Sequence, residues 1–125
     1  MAKRIYIAAY DQSKFGKLMA LTVPQILRNA VEGVCRKISV QPSVIDVGSV
    51  GAACGFTLNE QGLLSGLMAM VPGLEGKPIE AVENACASGG QAILSTIYNI
   101  QFVLGDIGQT VGYEKTRDNE DKMYG

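Results

Sequence analysis
The chain has 125 residues, 47% of them hydrophobic, with 11 Lys+Arg against 12 Asp+Glu and a formal net charge of −1. That is enough for one compact domain with a core of its own, and it excludes a disordered or low-complexity protein; near-neutral charge, absent Trp and 6% aromatic content exclude a general electrostatic or stacking grip on nucleic acid. There is no histidine, so Ser/His/Asp, Cys/His and His-ligated zinc chemistry cannot be completed by these residues alone.

Ile5-Tyr6-Ile7-Ala8-Ala9 is short, apolar and β-branched and predicts a buried strand. It is too short for a signal peptide, and no apolar run reaches the length of a membrane span. A polar loop, Asp11 to Lys17, follows. Thr22, Pro24 and Gln25 then form a helix start: a capping hydroxyl, a proline tolerated in the first turn and a Gln three residues on. Val23, Ile26, Leu27, Ala30, Val31, Val34 and Ile38 fall on one face of that helix. Gln41-Pro42-Ser43 ends it. Val44 to Val50 predicts a second strand, followed by a small-residue loop over 51–55. A second helix is expected over 59–71, closed by Pro72-Gly73, and a third strand over 79–84. A third helix is expected over 87–104 with Gly105 beyond it, and a fourth strand over 107–112. The order β-α-β-α-β-α-β gives an α/β fold with a mostly parallel sheet flanked by helices. The stretch 92–104 is apolar all round, which predicts burial on more than one side and a further layer from a partner or another part of the protein. Residues 1–113 read as the folded unit. Residues 114–125 are charged and read as a solvated tail or the start of a further region.

Three cysteines, Cys35, Cys54 and Cys86, stand at wide spacings with no C-x-x-C pair, so neither a zinc ribbon nor a redox motif is expected. Their usage fits a reducing, cytoplasmic setting. Gly48, Gly51 and Gly55 follow a strand, but their spacing matches no nucleotide-binding fingerprint, and tight packing explains them better. Cys35 falls on the apolar edge of the first helix and reads as a core residue; Cys54 is also assigned to packing. Cys86 differs. It stands between a strand and a helix, in Glu83-Asn84-Ala85-Cys86-Ala87-Ser88-Gly89-Gly90. A thiol there meets the positive end of the helix dipole and unpaired backbone N–H groups, which favour the thiolate. Ala85, Ala87, Ser88 and Gly89 leave room for a substrate, and the same turn offers N–H groups to a developing oxyanion. A buried packing cysteine is the alternative. Glu83 and Glu114 are acid/base candidates whose plain reading is a solvated or ion-paired carboxylate.

Val82 to Ala92 resembles the nucleophile turn of thiolases, most closely the sterol-carrier-protein-type and archaeal acetyl-CoA acetyltransferase branch. Ile5 to Ala9 with Lys14-Phe15-Gly16-Lys17 resembles the family's opening strand and its T-x-F-G-K loop. Leu74 to Pro78 also fits, and Val111-Gly112-Tyr113-Glu114-Lys115 resembles the G-x-E-K-M segment, with Thr116 in place of the Met. The resemblance implies the N-terminal half of a thiolase fold, incomplete without a C-terminal half. It implies that Cys86 takes an acyl group from an acyl-CoA, with Ala85, Ala87, Ser88 and Gly89 lining the substrate, and with no metal and no cofactor beyond the coenzyme A thioester. It further implies that a histidine and a second cysteine come from a C-terminal half or partner subunit, and that strand 79–84 pairs with its twin in a homo-oligomer. A chain acting alone is then not expected to turn over. The alternative is a non-catalytic, thiolase-like structural or assembly subunit.

Overall fold
The structure is a computed structural model and describes residues 3–102 and 105–115. Its first helix, α1 (Val23–Lys37), starts as the sequence predicts. The Thr22 hydroxyl accepts the Gln25 N–H at 3.3 Å and the Gln25 side chain accepts the Thr22 N–H at 2.8 Å. This reciprocal pair satisfies two of the N–H groups that a helix start leaves without partners. A single 3-10 turn, Pro42–Val44, leads to β1 (Val47–Gly51). Two short helices follow, α2 (Gly55–Asn59) and α3 (Leu64–Ala69), then β2 (Ile79–Val82), α4 (Ser88–Gln101) and β3 (Gly108–Gly112).

The fold is α/β: three parallel strands in the order β2-β1-β3, flanked by helices. Central β1 is buried along its whole length, as a parallel strand covered on both faces must be. Alternation along the strands sorts the two faces. Gln109 reaches Val31 of α1, and Val50 and Val111 join a core built with Val23, Leu27, Val31, Cys35, Leu64 and Met68. On the other face, Thr110 donates to Thr96 of α4 at 3.0 Å. The contact residues on that face are small. A Cβ on Gly51 would lie 2.2 Å from the Ser88 carbonyl oxygen, and one on Gly108 would lie 2.3 Å from Thr96. Glycine there lets α4 approach the sheet closely.

Two expectations are corrected. Ile5 to Ala9 forms no strand. β1 and β3 pair directly from Val47↔Gly108 to Gly51↔Gly112, which leaves no place beside β1 for another strand. The segment is tethered by side chains instead: Lys3 to Asp106 at 2.9 Å, Asp11 to Lys37 at 3.3 Å, and Tyr10 under the Lys37 ammonium. Tyr6 and Ile7 stay exposed. The helix expected over 59–71 is shorter, α3 alone lying within it, and a separate helix, α2, precedes it. Glu60 closes α2 in a left-handed conformation (φ 57°), and the chain re-enters a helix at Leu64. Leu64 and Met68, four residues apart, are buried, whereas Leu63 and Met70 are exposed. Of the third helix, residues 103–104 lie outside the described residues, as do 116–125 of the charged tail.

The sequence predicts burial of 92–104 on more than one side, whereas α4 is buried on one side only among the described residues. Ser88, Ala92, Thr96 and Ile100 face the sheet and are buried. Leu94, Tyr98 and Phe102, on the opposite side, are 45%, 52% and 82% exposed. Among the described residues, no helix is long and apolar enough to cross a membrane.

Candidate active site
Gly51 is in register with Val82 and with Gly112, so all three strands end level. The loops that leave these carboxyl ends are where open parallel sheets place their chemistry. Here they are 52–54 after β1, 83–87 after β2 and 113–115 after β3. They bring Cys54, Cys86, Glu83 and Glu114 to one edge of the sheet. A separate open depression at the far end of α1, lined by Glu32, Cys35, Arg36 and Pro42 among others, shares no residue with this edge.

Cys86 is exposed, Cys54 half-buried and Cys35 buried, and all three are free thiols. Burial, with Glu32 adding to it, pushes the Cys35 thiol up from its ordinary value, which suits a core residue and disqualifies it as a nucleophile.

The turn that carries Cys86 is tightly specified. Ala85 takes φ +46°, a left-handed conformation that costs an L-residue about 1–2 kcal/mol. Its N–H is held by the Glu83 carboxylate. Its carbonyl accepts the Ser88 hydroxyl at 2.7 Å and the Ser88 N–H at 3.2 Å. The Ser88 hydroxyl also accepts the Asn84 N–H at 2.9 Å. Ala87 N–H donates to Asn84 at 2.9 Å. The chain thereby turns between strand and helix, with Cys86 exposed. Ala87, at the N-cap of α4, has no side chain that could cap it, so Gly89 and Gly90 present the first-turn N–H groups that no helical carbonyl can accept. A Cβ on either glycine would meet nothing within 4 Å. The exposed Cys86 thus stands just ahead, in the chain, of a helix start whose first-turn N–H groups have no helical acceptor.

Ala85 and Ala87, the chain neighbours of Cys86, are exposed, and Gly89 is half-buried. Ser88 is on the same turn, but it is 4% exposed and its hydroxyl is bonded to the backbone of Asn84 and Ala85. Glu83 and Glu114 both serve the backbone. Glu83 holds Ala85, and Glu114 accepts the N–H groups of Ala53 and Cys54. Glu114 therefore ties the end of β3 to the loop after β1. Sequence reasoning missed this link because the partners are about sixty residues apart; the adjacent Tyr113 and Lys115, both buried, are the signal that the segment is packed rather than solvated. Among the described residues no group of His, Cys, Asp and Glu could hold a metal ion.

No protein-family model matches the chain. It is similar to two curated archaeal proteins. It is 31% identical over 114 residues to an acetyl-CoA acetyltransferase of Methanothermobacter thermautotrophicus, covering 91% of this chain and 30% of that protein. It is 28% identical over 114 residues to an acetyl-CoA acetyltransferase of Methanocaldococcus jannaschii, covering 91% of this chain and 29% of that protein. The chain thus spans about a third of the length of the curated relatives it matches. The strand–turn–helix around Cys86, the helix-flanked parallel sheet and the likeness over nine-tenths of the sequence agree: this is a thiolase-like chain.

Proposed function
We propose that the chain supplies the acyl-accepting cysteine of a thiolase-type acyltransferase and that the rest of the active site comes from a C-terminal half or partner subunit. The observation that carries this reading is the exposed Cys86 at the end of β2, beside the uncapped start of α4, in a chain whose relatives are named acetyl-CoA acetyltransferases. The Cys86 sulfur attacks the carbonyl carbon of an acyl-CoA, the carbon–sulfur bond to coenzyme A breaks, and the thiol proton ends on the departing coenzyme A sulfur. The products are an acyl thioester on Cys86 and free coenzyme A. The Gly89 and Gly90 N–H groups stabilise negative charge on the carbonyl oxygen during the step. The chemistry needs no cofactor beyond the thioester.

This chain has no histidine, so the base that moves the proton belongs to the complementing part. The exposed Leu94, Tyr98 and Phe102 face of α4 supports that division, because a helix apolar on two sides needs cover on both. The outer edge of β2, unpaired with any other strand among the described residues, suits strand pairing with a second copy, and a reactive thiol of this kind suits the reducing cytoplasm.

The test is incubation with acetyl-CoA, alone and with a C-terminal thiolase-like chain, followed by peptide mass spectrometry. An acetyl group on Cys86 that is absent from Cys86→Ala is expected. The proposal fails if no adduct forms on Cys86 in either mixture.

A further inference from the structure
We infer that Ser88 is a positioning residue for the Cys86 thiol, acting through the backbone of Asn84 and Ala85 rather than by touching an acyl group. A serine hydroxyl has one proton to give. Here that proton goes to the Ala85 carbonyl at 2.7 Å, while the same oxygen accepts the Asn84 N–H at 2.9 Å. The residue is only 4% exposed, so it has neither the donor nor the access to bind a substrate oxygen.

What it does hold is a backbone conformation that Ala85 does not choose by itself. An alanine at φ +46° is disfavoured by roughly 5–30-fold against ordinary conformations. Ser88 grips this peptide on its carbonyl side and Glu83 on its N–H side. The clamp has no slack behind it. The Ser88 carbonyl lies so close to Gly51 of the central strand that a methyl group there would be 2.2 Å away. Cys86, the next residue after Ala85, therefore takes its direction from the hydroxyl of Ser88 and its footing from β1. Without the hydroxyl, the Asn84 N–H loses its acceptor, Ala85 is released towards negative φ, and Cys86, which follows it, changes direction. The use of this alignment in acyl transfer rests on the function proposed above; the clamp itself is a property of this chain.

The experiment measures iodoacetamide alkylation of Cys86 by peptide mass spectrometry, with Cys54 of the same molecule as the reference, in four variants. Ser88→Ala is expected to slow Cys86 relative to Cys54 by about tenfold, the penalty of the released turn. Ser88→Thr keeps the hydroxyl and stays near the wild-type ratio, whereas Ser88→Val, of the same shape, falls with Ser88→Ala. Adding Ala85→Gly to Ser88→Ala restores most of the rate, because glycine takes positive φ without a clamp. The Thr/Val pair decides the matter even where Ser88→Ala does not fold. Equal rates for Thr and Val, or no recovery in a folded double variant, overturn the assignment. A wild-type Cys86 that alkylates readily but is never acetylated by acetyl-CoA sinks the acyl-transfer reading alone.

Discussion

Gly51→Ala is the substitution that most directly couples packing to the reactive turn. The added methyl would stand 2.2 Å from the Ser88 carbonyl oxygen, 2.7 Å from the Ser88 carbonyl carbon and 3.2 Å from the Ala92 Cβ. Ordinary contact begins at 3.4 Å, so either α4 retreats by about 1 Å or β1 bends by as much. Both atoms in closest contact are backbone, and no side-chain rotation relieves them. Overpacking of this kind costs about 1–3 kcal/mol. For a domain of this size that lowers the melting temperature by about 5–10 °C. The displaced turn carries Cys86, and a misplacement of about 1 Å at a reacting centre costs on the order of 100-fold in rate. Gly90→Ala is the control. Nothing lies within 4 Å of its added methyl, and replacing a helical glycine by alanine stabilises by about 0.5–1 kcal/mol. Far-UV circular dichroism melts and peptide-resolved alkylation of Cys86 read both quantities. If Gly51→Ala melts with the wild type and labels Cys86 at the wild-type rate, the close approach of α4 to β1 does not set the turn.

Other outcomes follow from the same structure. Under native conditions a thiol reagent should label Cys86 first, Cys54 next and Cys35 only after denaturation, matching their exposed, half-buried and buried positions; labelling of Cys35 before Cys54 would contradict the core around α1. Asp46 accepts the N–H groups of Asp106 and Ile107, and these two bonds lower its carboxyl below the ordinary value. A group with a depressed folded-state pKa stabilises above its unfolded value, about 3.9 for Asp, and loses that contribution as pH falls through the folded one. The melting advantage of wild type over Asp46→Asn should therefore be full near neutrality and shrink on acidification below about pH 4, and a gap that is constant down to pH 2 would rule out the charged capping role. Glu114→Ala removes the acceptor for Ala53 and Cys54 and should speed Cys54 alkylation while leaving the Cys86 rate unchanged. Leu27→Ala, at a side chain that is 0% exposed, should cost about 2–5 kcal/mol in chemical denaturation; a loss under 1 kcal/mol would mean that the α1 core is loosely filled.

Local chemistry made much of this legible in the sequence. The capping box at Thr22 and Gln25 and the period of α1 are short-range patterns, and the helix formed where they place it. Three of the four expected strands and the parallel, helix-flanked architecture stand. The position of Cys86 between a strand and a helix was also readable, because it depends only on the order of neighbouring elements. What periodicity does not encode is pairing. Ile5 to Ala9 has strand composition, yet a strand exists only where a neighbour accepts its backbone hydrogen bonds, and β1 and β3 pair with each other. Local breaks are also hard to read, as the left-handed Glu60 shows: it ends α2 at Asn59, where the sequence predicts a helix to begin.

At the site itself, the residue types came from the sequence: one thiol at a strand–helix junction among small neighbours, and no histidine anywhere to serve it. The tertiary structure decided which of those neighbours face solvent and which hold the backbone. Ser88 is indistinguishable from a substrate-binding serine in sequence, but the fold spends its proton on Ala85 and buries it against the central strand. Glu114 reads as the start of a charged tail, but the level ends of β1 and β3 bring it to the amides of Ala53 and Cys54. Side-chain identity and order along the chain determine what chemistry is available. Register, close approach and the direction of each hydroxyl and carboxylate depend on residues dozens of positions apart, and only folding brings those together.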